Sequence, residues 1–351
     1  MMLVLIVAAA IWGLGSYLRT PVQARGLMLA LLYVAVLFAQ VALPDGHPLR
    51  EQLGGSPGQW LVFGAMVAAI LAYRQVLGRV RARARAVEAE REGAAPSRPA
   101  GAFSDVELER YARHIVLREI GGAGQKRLKD AKVLVVGAGG LGSPVLLYLG
   151  AAGVGTIGVI DDDTVSLSNL QRQIVHTDAR SGQPKVFSAE TGVRAINPHV
   201  TLRPYNRRLT REIAAELFAD YDLIVDGSDS FATRQVVNAA AVAAGKPLLA
   251  GAITQWEGQV TVYDPARGAP CLTCLFPEAP AAGLAPSCAE AGVVGALPGV
   301  VGAMLALETI KEIAGAGTSL RGTLLLWDGL DADLRRVSIA RRPGCATCGG
   351  V

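Results

Sequence analysis

Residues 131–163, AKVLVVGAGGLGSPVLLYLGAAGVGTIGVIDDD, constrain the fold more than any other stretch. A β-branched run leads into a glycine turn, an apolar helix-compatible segment follows, and a second short apolar run ends in three aspartates. Gly137, Gly139 and Gly142 form a G-x-G-x-x-G pattern with Gly140 inside it. Such glycines let the backbone approach a phosphate closely, and the helix beyond them aims its positive N-terminus at the same point. The pattern is weak by itself. Set between a strand and a helix, with an acid near the end of the next strand, it predicts a Rossmann-like nucleotide-binding α/β fold. Asp161 is the candidate ribose ligand, since a carboxylate accepts from ribose hydroxyls; a solvated turn acid is the plain alternative.

A nicotinamide-dependent oxidoreductase would explain the chain as far as Asp161. It gives no reason for Asn169, Arg172 and Gln173 immediately afterwards, or for Lys185 in SGQPK. Cations beside a phosphate-binding turn suit stabilisation of charge developing at phosphorus, so adenylyl transfer fits better than hydride transfer. The next strand, in YDLIVDGSDSFATR, ends in Asp226 and Asp229 at the sheet edge where open α/β folds place ligands. A hard divalent cation bridging phosphates needs a carboxylate there, which makes Asp229 the magnesium candidate. The plain alternatives are that Asp226 holds the loop and that Arg234 is a surface charge.

In this order RYAR, VLVVGAGGLGS, DDDTVSLSNLQRQ, GQPK, DGSD, GAITQWEGQVTVY, CLTC, SCAEAGV and PGCATC resemble the MoeB/ThiF branch of ubiquitin-activating-like adenylyltransferases, from about Arg110 to Cys348. The resemblance implies ATP and Mg2+, and activation of the C-terminal glycine carboxylate of a small β-grasp sulfur carrier ending in Gly-Gly. It implies that Asp161 holds the ribose, that Gly137, Gly139, Gly140 and Gly142 line the phosphates, and that Asn169, Arg172 and Lys185 contact them. Asp229 would hold magnesium. Arg113 corresponds to an arginine that reaches the neighbouring subunit's ATP, which implies a homodimer. His114 and Ser230 stand where the family commonly has glutamine and asparagine; neither change removes a charged group. TVSLSNLQRQ and GQPK favour the molybdopterin-synthase small subunit as carrier, in molybdenum cofactor biosynthesis, with the thiamine-pathway carrier as the alternative. A non-catalytic membrane scaffold is the remaining reading, and intact Arg172, Lys185 and Asp229 argue against it.

Cys271 with Cys274 and Cys345 with Cys348 are two CxxC pairs. Four thiolates complete a tetrahedral zinc site with no open position, so the expected Zn2+ is structural. The odd cysteine, Cys288 in APSCAEAGV, corresponds to a sulfur-transfer cysteine in the thiazole-forming branch and would act only after adenylation. No rhodanese-like domain follows Cys348, so the sulfur donor is expected to be a separate protein.

Composition bears mainly on the first third. The chain has 351 residues, of which 51% are hydrophobic and 18% charged, and mean hydropathy is +0.34, high for a soluble enzyme. Apolar segments at about 2–18, 27–43 and 60–77 approach the roughly 17–25 residues of a membrane-crossing helix. Arg19 and Arg25 follow the first, and Arg74, Arg79, Arg81, Arg83 and Arg85 cluster about the end of the third. The positive-inside rule then places the N-terminus outside and the domain beyond Arg79 in the cytoplasm, on a multi-pass inner-membrane protein. The expected organisation is a transmembrane region at 1–78, a basic juxtamembrane segment and linker at 79–103, and the adenylyltransferase domain at 104–351. The net charge of +4 comes with arginines concentrated at 79–91 and not interleaved with aromatics, which argues against a nucleic-acid partner. The apolar stretch from Ala291, with Pro298, Glu308 and Lys311 in it, is expected to be a buried core or interface helix, not another span.

Overall fold

The computed structural model describes residues 2–93, 103–278 and 291–350, and falls into two compact units, Met1–Arg98 and Pro99–Val351. Cys288 and the Ala/Pro/Ser part of the linker lie outside the described residues.

The first unit is helical: α1 (Met2–Tyr17), α2 (Val22–Ala42), α3 (Pro48–Leu53) and α4 (Pro57–Gly93). At 1.5 Å per residue, the 21 residues of α2 span about 31 Å, and the 23 apolar residues Pro57–Arg79 of α4 span about 34 Å. Both match a hydrocarbon core of about 30 Å, whereas the 16 residues of α1 fall short of it. Helix α2 starts five residues before the expected 27 because Arg25 satisfies itself at the helix entrance, donating to the Thr20 carbonyl at 2.8 and 3.0 Å. Helix α4 runs on through the arginine-rich segment, whose Arg, Ala and Glu residues all favour helix. Val4, Val36 and Trp60 form a small buried cluster, while Leu27, Leu31, Phe38, Leu61 and Ile70 face outward.

The second unit begins with α5 (Asp105–Ile115), opened by a capping box: Ser104 Oγ accepts from the Glu107 amide, and Glu107 accepts from the Ser104 amide. There follow α6 (Gly121–Asp130), β1 (Lys132–Val136), α7 (Gly142–Ala152), β2 (Thr156–Ile160), α8 (Lys185–Ile196) and β3 (Thr201–Tyr205). The second half comprises α9 (Arg211–Ala219), β4 (Leu223–Asp226), α10 (Phe231–Ala243), β5 (Leu248–Ile253), β6 (Glu257–Tyr263), α11 (Leu272–Leu275), α12 (Ala296–Ala314), β7 (Thr323–Asp328) and β8 (Asp333–Ser338).

The strands form one sheet in the order β3-β2-β1-β4-β5-β6-β7-β8, parallel through β5 and antiparallel beyond it. Alternation along β1 divides the core between the two faces. Val133 and Val135 pack with Val145, Leu149, Val186 and Leu305 on one side, and Leu134 and Val136 with Phe218, Tyr221 and Val237 on the other. Helix α12 is a core helix, with Leu297, Val301 and Leu305 buried against the sheet, in line with the sequence reading. Strand β1 pairs with β2 on one side and β4 on the other, so their carboxyl ends flank a crevice at the point where strand order reverses. That edge carries the site.

Candidate active site

The floor is the glycine turn. Gly137 adopts φ +91°, in the left-handed region that disfavours side chains, and a Cβ there would stand 3.1 Å from the Gly227 carbonyl oxygen beyond β4. Gly142 is tighter still: its Cβ would lie 1.9 Å from the Gly137 carbonyl oxygen. Asp161, just past β2, accepts from the Ala138 amide through Oδ2 and from the Asp163 amide through Oδ1, each at 2.8 Å. Its carboxylate therefore shapes the turn, and each oxygen keeps a second lone pair for a ligand.

One wall carries cations. Lys185 opens α8 and is buried; its Nζ is 2.7 Å from Asp163 Oδ2, and its amide donates to the Asp163 carbonyl at 2.9 Å. Arg172 follows a short 3-10 turn at 167–169, donating from Nη2 to Asn169 Oδ1 at 2.7 Å and from Nη1 to the Ser168 carbonyl at 3.3 Å. Asn169 is not among the residues lining the crevice, and its side-chain oxygen orients Arg172.

The other wall comes from the end of β4. Asp226 is buried and accepts from the Ser228 amide at 2.9 Å; burial pushes its carboxyl above the usual range, opposed by the Arg234 guanidinium. Asp226 thus holds the loop, as its plainer reading had it. Arg234 is no surface charge: it is half-buried and donates to the Ser228 carbonyl at 2.7 Å, because α10 carries it back beneath the loop. Ser230 caps α10, accepting from the Thr233 amide at 3.2 Å, and leaves Asp229 exposed at the rim.

Between the walls lies a cavity of about 360 Å³ lined by Gly137, Gly139, Gly140, Asp161, Arg172, Lys185 and Asp229, with Gln173, Ser228 and Arg234. Five lining cations (Arg172, Lys185, Arg207, Arg208, Arg234) face four carboxylates (Asp161, Asp162, Asp163, Asp229), a setting for a polyanion bound with a divalent cation. Gln173 Oε1 and Ser228 Oγ are buried here without a hydrogen-bond partner. Leaving such groups unpaired costs about 1–3 kcal/mol each, which a polar ligand in the cavity would relieve.

The sequence reading missed Arg207 and Arg208. They follow β3, whose parallel register Ile160↔Tyr205 brings their loop to the same edge as Asp161. Arg113 is exposed on α5 and does not line this cavity, and neither does Gly142, which acts through the turn.

The four cysteines meet away from the cavity. Their sulfurs lie within 4.8 Å of one another, with Cys271–Cys274 at 3.9 Å, Cys271–Cys345 at 3.7 Å and Cys274–Cys348 at 3.5 Å. A tetrahedral zinc ion with 2.3 Å Zn–S bonds sets its sulfurs about 3.8 Å apart, so the donor set fits. Burial pushes the Cys271 and Cys348 thiols up; it acts on Cys345 too, but the backbone N–H groups of Cys348 and Thr347 bring that thiol down to about 7.

Residues 111–347 match the model of the ThiF family. The chain is 51% identical over 247 residues to the sulfur carrier protein adenylyltransferase of Thermus thermophilus, covering 69% of this chain and 91% of that protein. It is 49% identical over 248 residues to the probable adenylyltransferase/sulfurtransferase MoeZ of Mycobacterium tuberculosis, covering 70% of this chain but 63% of that longer protein. Among solved structures, E. coli MccB with ATP superposes at a TM-score of 0.60 over 72% of this chain and 76% of MccB, with 21% identity, a likeness of fold. By its glycine turn, its order of motifs and these matches, the chain belongs to the ThiF family.

Proposed function

We propose that the chain uses ATP to adenylate the C-terminal glycine carboxylate of a small sulfur-carrier protein. The observation that carries this reading is the placing of Arg172 and Lys185 on one wall and Asp229 on the other, around a glycine turn that no side chain obstructs. The name of the Thermus relative supports it. The carrier's carboxylate oxygen attacks the α-phosphorus of ATP, a new P–O bond forms, the bond to the bridging oxygen breaks, and pyrophosphate leaves. Arg172 and Lys185 neutralise charge gathering on the phosphate oxygens and Asp161 takes the ribose; Asp229 would hold a divalent cation, which would supply further charge neutralisation.

The carrier we favour is that of molybdopterin synthase, with the thiamine-pathway carrier second. We further propose that Cys271, Cys274, Cys345 and Cys348 hold a structural Zn2+, that Arg113 serves a partner subunit of a homodimer, and that Cys288 acts after adenylation with a separate sulfur donor. Helices α2 and α4 anchor the catalytic unit on the cytoplasmic face of the inner membrane; release of the protein by alkaline carbonate would overturn that anchoring.

The test is ATP–pyrophosphate exchange by full-length protein with Mg2+, offering a molybdopterin-synthase carrier and a thiazole-pathway carrier in turn, with Asp229→Ala as control. Exchange with one carrier, lost in the control, is expected. Folded protein that exchanges with neither overturns the reading.

A further inference from the structure

His176 is buried, lies in the loop between Arg172 and Lys185, and does not line the cavity. Its Nε2 stands 2.9 Å from the Ala138 carbonyl oxygen and its Nδ1 2.9 Å from Ser188 Oγ. A carbonyl oxygen only accepts, so Nε2 carries the proton; in the neutral ring Nδ1 is then a bare lone pair, and the Ser188 hydroxyl donates to it. Ser188 lies one turn beyond Lys185 on α8, at the i, i+3 spacing that shares a helix face.

Ala138 is therefore gripped through both flanking peptides: its amide by Asp161 Oδ2, its carbonyl by His176. Followed further, the contacts close on themselves. Asp161 Oδ1 accepts from the Asp163 amide, Asp163 Oδ2 pairs with Lys185 Nζ, α8 runs from Lys185 to Ser188, and Ser188 returns through His176 to Ala138. The glycine turn, the acidic strand end and the lysine helix are bolted into one ring, and His176 is the bolt between turn and helix.

We propose that His176 is a positioning residue for adenylation, held neutral and protonated on Nε2, which fixes the distance between the phosphate-binding turn and Lys185. This rests on the reading of the site as an ATP site. The neutral state has independent support: burial lowers the imidazole's affinity for a proton below its ordinary value, and Lys185 and Arg180 lower it further, against the Ala138 hydrogen bond and Asp161. A misplaced turn spoils the fit of ATP's phosphates and of Lys185 to them, without touching whatever surface receives the carrier.

The test compares His176→Gln, whose amide N–H can still reach the Ala138 carbonyl, with His176→Leu, which keeps volume and loses the donor. Both are read by exchange kinetics with ATP and carrier varied separately, and by Mg-ATP binding. His176→Leu is expected to lower kcat/KM for ATP by roughly ten- to a hundredfold. Its KM for the carrier should stay within about twofold, and His176→Gln should recover most of the loss. Equal losses in both variants, or a parallel change in carrier KM, would mark His176 as merely structural and overturn the proposal.

If His176→Leu does not fold, the wild-type protein still decides. With only four histidines in the chain, 15N-histidine spectra of the full-length protein in lipid nanodiscs can be assigned. His176 is expected as the neutral Nε2–H form at pH 7; an Nδ1–H form or an imidazolium overturns the proposal. Wild-type protein that binds Mg-ATP and gives this spectrum but exchanges with no carrier would sink the adenylation reading and leave the ring standing.

Discussion

The Lys185 ammonium stands 2.7 Å from the Asp163 carboxylate, and the two side chains are unequally placed, Lys185 6% exposed and Asp163 68%. The lysine is fixed inside the wall and the aspartate is the part that water reaches. Lys185→Ala should therefore lower exchange by about a hundredfold or more, as expected for removing a pre-organised cation from a charge-developing site. Asp163→Asn keeps the lysine and should cost less than about tenfold. Steady-state exchange on folded variants checks both, and equal losses would mean that Asp163 itself meets the reacting groups.

Gly139 and Gly142 separate folding from function. A Cβ on Gly142 would lie 1.9 Å from the Gly137 carbonyl oxygen, so Gly142→Ala must pry α7 from the turn, costing about 3 kcal/mol in urea unfolding. A Cβ on Gly139 meets Gln173 Nε2 at 3.6 Å, an ordinary contact. Gly139→Ala should leave the unfolding midpoint unchanged and raise the Kd for Mg-ATP, because the added methyl stands where phosphate must approach.

Glu107 gives a pH signature far from the cavity. Burial pushes its carboxyl up, but Lys129 at 2.8 Å and the Ser104 amide at 2.8 Å outweigh it and leave the pKa below its ordinary value. A lowered folded pKa contributes stability above the unfolded value of about 4.3, lost as pH falls through the folded value. Glu107→Gln should thus cost about 1 kcal/mol at pH 7, and the gap to wild type should narrow below about pH 4. Urea unfolding at the two pH values measures it; a gap independent of pH would assign the effect to packing.

The cysteine cluster predicts one zinc ion per chain in protein purified without added chelator, measured by elemental analysis. Cys345→Ser should lose the ion and lower the melting temperature of the catalytic unit by roughly 10 °C. A metal-free wild type with the same melting temperature as the loaded protein would show that the four thiols need no ion.

What could be read from sequence was what the chain encodes locally. The strand, glycine turn and helix around Gly137, the capping box at Ser104 and the two CxxC pairs each lie within a few residues, and the structure keeps them. What was hidden depends on strand order. Arg207 and Arg208 look like surface charges until β3 is known to lie beside β2. His176 carries no local signal, since its partners Ala138 and Ser188 are 38 and 12 residues away. The contact between the Asn169 amide oxygen and Arg172 is likewise not legible in the sequence, where the two residues are simply neighbours in one motif. Arg234 looked free because the turn from loop into α10 that folds it under Ser228 is invisible in one dimension.

The ring of contacts has a consequence for how the site is made. Its members all fall between Ala138 and Ser188, whereas the opposite wall comes from Asp226 to Arg234. A wall closed within one stretch of chain costs less loop-closure entropy than one that must recruit both halves of the domain. The wall that carries Lys185 is thus held by contacts within its own stretch of chain. The crevice itself exists only where β4 lies beside β1 and sets Asp229 opposite that wall, so a change in the second half of the sheet can displace the candidate metal carboxylate while leaving the lysine's own setting intact.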